Sequence, residues 1–200
     1  MANTVPPQVL QDLQSAVAQD VAAGFLAPDE IAGSVVELFA DDADPESLRV
    51  AADCATAEAL QAHFSAQADW PAVTDCDRLD AAFEQLEALG IIARQNFSCC
   101  GTCGAREIVD EMAAARKQGR LVRGYTFFHV QDTESATQGH GLCLNYGTAR
   151  DDEAAALAIA GKVVDILAAH GLSTMWDGTW NQRISVQLDW KRRRSAPSAA

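Results

Sequence analysis

Basic residues are nearly missing from the first part of this 200-residue chain: residues 1 to 90 hold 17 acids against two bases, Arg49 and Arg78. An excess of that size repels phosphate backbones. The run Lys191 to Arg194 is too thin a basic footprint to offset it, so the balance argues against nucleic-acid binding. No apolar run approaches the roughly 18 residues that a membrane helix needs. The opening MANTVPPQVLQDLQ has neither the basic start nor the apolar stretch of a leader. These absences predict a cytoplasmic protein with no membrane segment. Familiar catalytic signatures are missing too: no Gly-rich phosphate loop ending in Lys-Ser or Lys-Thr, no G-x-G-x-x-G after a strand, no H-E-x-x-H and no G-x-S-x-G. The acids of the first part have helix-surface spacing and no glycosidase-like pairing.

What is present is a globular composition, 48% hydrophobic, with a net charge of -13 concentrated before residue 90; residues 91 to 200 carry 11 acids and 13 bases. Four helices are predicted before that boundary. Leu10, Leu13, Val17, Val21 and Phe25 form one stripe. Pro28 with Asp29 and Glu30 opens a second helix, and a third runs from Pro45 to Phe64. DCDRLDAAFEQLEALG forms the fourth, with Leu79, Phe83 and Leu86 on one face and Gly90 closing it.

After Gly90 the pattern alternates. IIARQNF, GYTFFHVQ, GLCLNYG, GLSTMW and RISVQLDW read as strands, the second and third joined by a hairpin through DTESATQGHG and the last two through Asp177-Gly178. GAREIVDEMAAARKQG and residues 151 to 170 read as helices. The expected fold is therefore α+β: a ferredoxin-like split β-α-β unit with an extra C-terminal strand, preceded by an α-helical region. The expected boundaries are residues 1–72 for the helical region, 73–192 for the α+β domain and 193–200 for a disordered tail.

Three of the six cysteines crowd into FSCCGTCG, residues 97 to 104. In a reducing compartment such a cluster points to metal or redox chemistry rather than to a disulfide framework, and adjacent Cys99 and Cys100 are poor disulfide partners. The loop leads into a helix N-terminus, where backbone N–H groups favour thiolate, which is both nucleophile and metal ligand. Cys100 and Cys103 form a Cys-x-x-Cys pair that can face one ion, with Gly101 and Gly104 permitting a tight turn. Parallel strands would bring His129, Asp132, His140 and Cys143 toward the same sheet edge. His129, among aromatics, suits a ligand or a satisfied core histidine equally, and His140 reads as exposed. Cys54 and Cys143 read as packing residues, and Cys76 as part of a cap region.

The stretches TDCDRLDAAFEQLEALGIIARQNFSCCGTCG, GYTFFHVQDTES, GLCLNYG and HGLSTMWDGTWNQRISVQLDWKRR resemble a family of uncharacterised proteins, a domain of unknown function from high-GC bacteria, over residues 70 to 194. The resemblance implies no activity. It directs attention to Cys99, Cys100, Cys103, His129, Gln131 and Asp132, which stand in its motifs. Heavy-metal-associated domains offer a weaker analogy, since they too carry Cys-x-x-Cys after a first strand. The extra cysteine and the helical extension here depart from them.

The leading expectation is a metal site, zinc first with other thiophilic metals open, drawing on Cys99, Cys100, Cys103 and His129, with Asp132 and Gln131 as supports that orient the imidazole. A thiol enzyme is the rival: a Cys100–Cys103 oxidoreductase, or a Cys-His nucleophile with His129. The third reading is a regulatory module whose acidic helices bind a protein partner.

Overall fold

The computed structural model describes residues 5–150 and 152–195. They divide into two compact units, one holding residues 5–72 with 191–195 and one the described residues from 73 to 190. No helix among the described residues is long and apolar enough to cross a membrane.

The first unit holds α1 (Pro7–Ala23), α2 (Pro28–Leu38) and α3 (Pro45–Gln67). Each begins with proline at its first position, where the missing N–H costs nothing. Asp44 caps α3 by accepting from the Ser47 N–H at 3.0 Å, and Gly24 ends α1 in the left-handed region at φ 81°. Leu13, Val17 and Val21 meet Ile31, Val35 and Leu48 in one core.

The basic run at the C-terminus turns inward within this unit. Arg194 donates from Nε to Val21 O at 2.8 Å, from Nη1 to Leu26 O at 2.8 Å and from Nη2 to Asp20 O at 3.0 Å. Asp20 and Val21 stand in the last turn of α1, whose carbonyls a helix end leaves open, although Asp20 O also accepts from the Gly24 N–H at 3.2 Å; Leu26 lies in the loop that follows. Gln67 braces the Arg194 backbone from both sides, and Arg193 donates to Pro71 O. Arg193 and Arg194, expected within the disordered tail, are thus built into the fold; residues 196–200 lie outside the described residues.

The second unit opens with α4 (Asp75–Ala88), capped reciprocally by Thr74 and Asp77. There follow β1 (Ile91–Arg94), α5 (Gly101–Lys117), β2 (Gly124–Phe127), α6 (Val130–Thr137), β3 (Leu142–Gly147), α7 (Glu153–Ala169), β4 (Ser173–Met175) and β5 (Ile184–Gln187). The strands form one mixed sheet in the order β1-β2-β3-β5-β4, in which only β1 and β2 run parallel.

The α+β class and the helical lead are as expected, but the split unit is corrected. In a split β-α-β unit another strand separates the two parallel ones. Here β1 and β2 are direct neighbours, paired from Ile91↔Gly124 to Arg94↔Phe127, and β3 takes the far side of β2, so no strand can insert. The hairpin through DTESATQGHG is corrected as well: β2 ends at Phe127, and residues 130–137 are the helix α6.

Strand alternation assigns the faces. Ile92 and Phe127 pack on Ile108 and Met112 of α5. The opposite face meets α7, where a Cβ on Gly124 would lie 2.6 Å from Ile159. The pairings Phe127↔Asn145 and Cys143↔Ser185 then place Asn145, Cys143 and Ser185 on the α5 face, while Leu142, Leu144, Ile184 and Val186 are buried on the other.

Close approach of α5 to β2 depends on Gly104, whose Cβ would sit 2.6 Å from the ring of fully buried Phe127. Gly104→Ala is expected to lower stability by about 1 to 3 kcal/mol. Gly161→Ala, in α7 with open space around it, should be neutral or stabilising by up to about 1 kcal/mol. Urea midpoints of the two variants check this pair of opposite signs.

Candidate functional site

The chain between β1 and α5 is held by an extension of parallel pairing beyond both strands. Phe128 N donates to Arg94 O at 3.2 Å, Phe97 N to Phe128 O at 2.8 Å, and Val130 N to Ser98 O at 3.2 Å. The Phe97 ring meets Phe127 at 5.7 Å. To make these bonds Asn96 and Ser98 adopt φ of 49° and 62°, a conformation that costs about 1 to 2 kcal/mol at a residue such as Ser98. Side chains hold the strained turns: Thr133 Oγ1 donates to Asn96 Oδ1 at 2.7 Å, and Ser98 Oγ to Glu107 at 3.2 Å.

This loop delivers Cys100 as the N-cap of α5, with Cys103 three residues on in the first turn. The sulfurs of Cys99, Cys100 and Cys103 all lie within 4.8 Å of one another; Cys99 is exposed and the other two half-buried. A tetrahedral zinc with Zn–S near 2.3 Å separates its sulfurs by roughly 3.8 Å, so small rotamer changes would close the three around an ion. Among the described residues no histidine or carboxylate joins this group.

The sulfurs are not equivalent. The Cys103 N–H, then the Cys103 thiol and the Thr102 N–H, lower the pKa of Cys100. Cys100 nevertheless forms no side-chain cap bond. Cys103 is pushed up to about 11, by its thiol's donation to Cys99 first and Cys100 second. The Cys100 thiol is therefore the easier of the two to ionise.

His129 caps the adjacent helix. Its Nδ1 accepts from the Asp132 N–H at 3.3 Å, while an Asp132 carboxylate oxygen accepts from the His129 N–H at 3.1 Å and lies 3.1 Å from His129 Nε2. Both ring nitrogens are therefore engaged by Asp132. Burial lowers the imidazole pKa and outweighs the opposing pull of that carboxylate. The ring edge rests against α5: a Cβ on Gly101 would lie 3.6 Å from His129 Nε2 and 3.7 Å from Asn145 Oδ1. His129 is thus beside the cysteine helix without its nitrogens joining the sulfur group. Asp132 contacts both ring nitrogens of His129, whereas Gln131 is exposed.

Two residues went unrecognised in the sequence. Arg183 donates from Nη1 to both Asp132 oxygens, at 3.0 and 3.2 Å, and that atom lies 3.4 Å from His129 Nε2. Asn145 sits on the α5 face of β3 with its Nδ2 buried and unpartnered. The remaining cysteines lie apart. Cys54, expected to pack, is exposed on α3 with its thiol 3.6 Å from Glu58; Cys76, placed in a cap region, is core; Cys143 is half-buried.

These features define an α+β protein with a three-cysteine cluster, able to hold a metal ion, at the start of a helix. The chain belongs to the family described as Domain of unknown function (DUF6891), which matches residues 6–194 and so takes in the helical lead as well as the cysteine loop. No curated protein and no solved structure matches it.

Replacing His129 separates its capping role from its charge. His129→Ala should cost about 1 kcal/mol through the lost cap, and His129→Asn should restore most of that. An unfolded histidine takes up its proton near 6.5. The folded one resists until lower pH, so its contribution to stability is intact above 6.5 and is lost as pH falls below it. Denaturation midpoints between pH 7.5 and 5 should fall less steeply in His129→Asn than in the wild type.

Proposed function

We propose that the protein binds a thiophilic metal ion, zinc first, through Cys99, Cys100 and Cys103. The single observation supporting this is the gathering of three sulfurs within 4.8 Å where N–H groups favour thiolate. Three protein ligands leave a fourth position open, the pattern of a site that does chemistry; a fourth protein ligand would make it structural. His129 is the nearest candidate for that place, but to bind it must give up Asp132 at one ring nitrogen. Cys100→Ser with Cys103→Ser is expected to take the metal content of chelator-free protein from about one equivalent to near zero, while His129→Asn leaves it bound. A content near zero in the wild type, unchanged in the double variant, ends the proposal.

The Cys100–Cys103 asymmetry favours a second reading, thiol chemistry in the metal-free protein, with Cys100 as nucleophile and Cys103 or Cys99 as its partner. Peptide mapping after brief iodoacetamide treatment should find Cys100 labelled well before Cys103. Equal labelling of the two would remove this reading.

A further inference from the structure

We propose that Arg183 and Asn145 form a receptor for an oxyanion beside the cysteine loop, so that the molecule reaching the sulfur cluster is a small organic acid bound through its carboxylate. The proposal rests on Cys100 being a reachable sulfur of the cluster and asks nothing of the metal.

Strand register assembles the receptor. Leu144 pairs with Ile184, and continuing that antiparallel ladder by one residue sets Arg183 opposite Asn145, on the face that carries Phe127 and lies under α5. The Asn145 amide oxygen and the His129 imidazole both approach the start of α5 at Gly101, each within ordinary contact distance of where a Cβ would stand there. The floor next to Cys100 is therefore an amide, an imidazole edge and a guanidinium.

Hydrogen-bond donors are left unspent there. Asn145 Nδ2 is buried with no acceptor, a state that folded proteins rarely leave uncompensated. Arg183 spends only Nη1 on Asp132; among the described residues its Nε and Nη2 make no hydrogen bond, and 43% of the side chain is open to solvent. A guanidinium can only donate, and its planar fork fits a second carboxylate along the unused edge. His129 is held neutral by burial and adds no competing charge. The chain as a whole, at -13, repels anions, so attraction here has to be local.

The test uses the reduced, metal-free full-length chain and compares alkylation of Cys100 by iodoacetate and by neutral iodoacetamide. A second pair, 3-bromopropionate and its amide, spans one carbon more. Each acid-to-amide rate ratio is normalised to that of N-acetylcysteinamide in the same buffer. One charge-assisted contact predicts a normalised ratio of about ten for at least one pair. Arg183→Gln should return it to about one. Asn145→Ala, which removes an orphan donor and so should not harm folding, should lower it several-fold, and Arg123→Gln, at an exposed arginine elsewhere in the unit, should not change it. A ratio at or below one in the wild type overturns the proposal, as does a preference that survives both site variants, or absence of reaction at Cys100 with every reagent. Metal binding can fail while this preference stands, and the reverse, so the two proposals are judged separately.

Discussion

The candidate site depends on β1 and β2 continuing to pair after both have stopped being strands. Three backbone bonds, among Arg94, Phe97, Ser98, Phe128 and Val130, carry the parallel arrangement into the loops, and each loop then starts a helix. Two helix N-termini consequently lie side by side at the carboxyl end of the parallel pair. Ligands of open α/β sheets commonly bind at such carboxyl ends, because helix N–H groups converge there. The left-handed conformations of Asn96 and Ser98 are a consequence of that constraint: the chain must make its bonds to residues 128 and 130 and still present Cys100 in extended form at the start of α5.

Both helices are capped by residues that are poor choices for stability alone. Serine, threonine, aspartate or asparagine would cap better than cysteine, and α4 in the same unit uses Thr74 with Asp77. At α5 the sulfur makes no side-chain cap bond, and at α6 an imidazole nitrogen does the work of a carboxylate. A helix end that carries cysteine rather than serine gives up some stability for a sulfur atom able to take part in a metal site. Arg183 then balances Asp132, the buried carboxylate beside the imidazole, and leaves the neighbourhood rich in donors within an acidic protein.

Sequence reasoning reached those parts of the site that local rules govern. Helical stripes, proline at first helical positions and the Cys-Cys-x-x-Cys loop ahead of a helix are all short-range features, and the helices before Gly90 fall where periodicity puts them. It missed α6 because Tyr125, Phe127, Phe128 and Val130 speak for a strand, while the competing signal is the reciprocal His129–Asp132 cap, a pattern seldom built on histidine. Strand order was not legible at all, since alternation tells which face a residue occupies and nothing about its neighbour. Asn145 and Arg183 were read as ordinary polar positions for that reason: 38 residues apart, they meet only through the β3–β5 register. The same limit applies to Arg194, whose role is set by helix-end carbonyls of α1 far away in the chain.

Engagement of His129 by Asp132 bears on how the proposed metal site would be completed. To supply a fourth ligand the imidazole would have to abandon either the α6 N–H that Nδ1 accepts or the carboxylate oxygen at Nε2, and the cap alone is worth about 1 kcal/mol. Leaving the fourth position open avoids that loss. An open position at the start of α5 would lie near Gly101, which Asn145 and His129 approach, with Arg183 beside the imidazole. A molecule entering there would meet sulfur or metal at one end and unspent donors at the other. On these proposals, metal site and anion receptor would act on the same small molecule, one at its reactive atom and one at its charge. The neutral imidazole between them would neither repel the metal nor neutralise the anion.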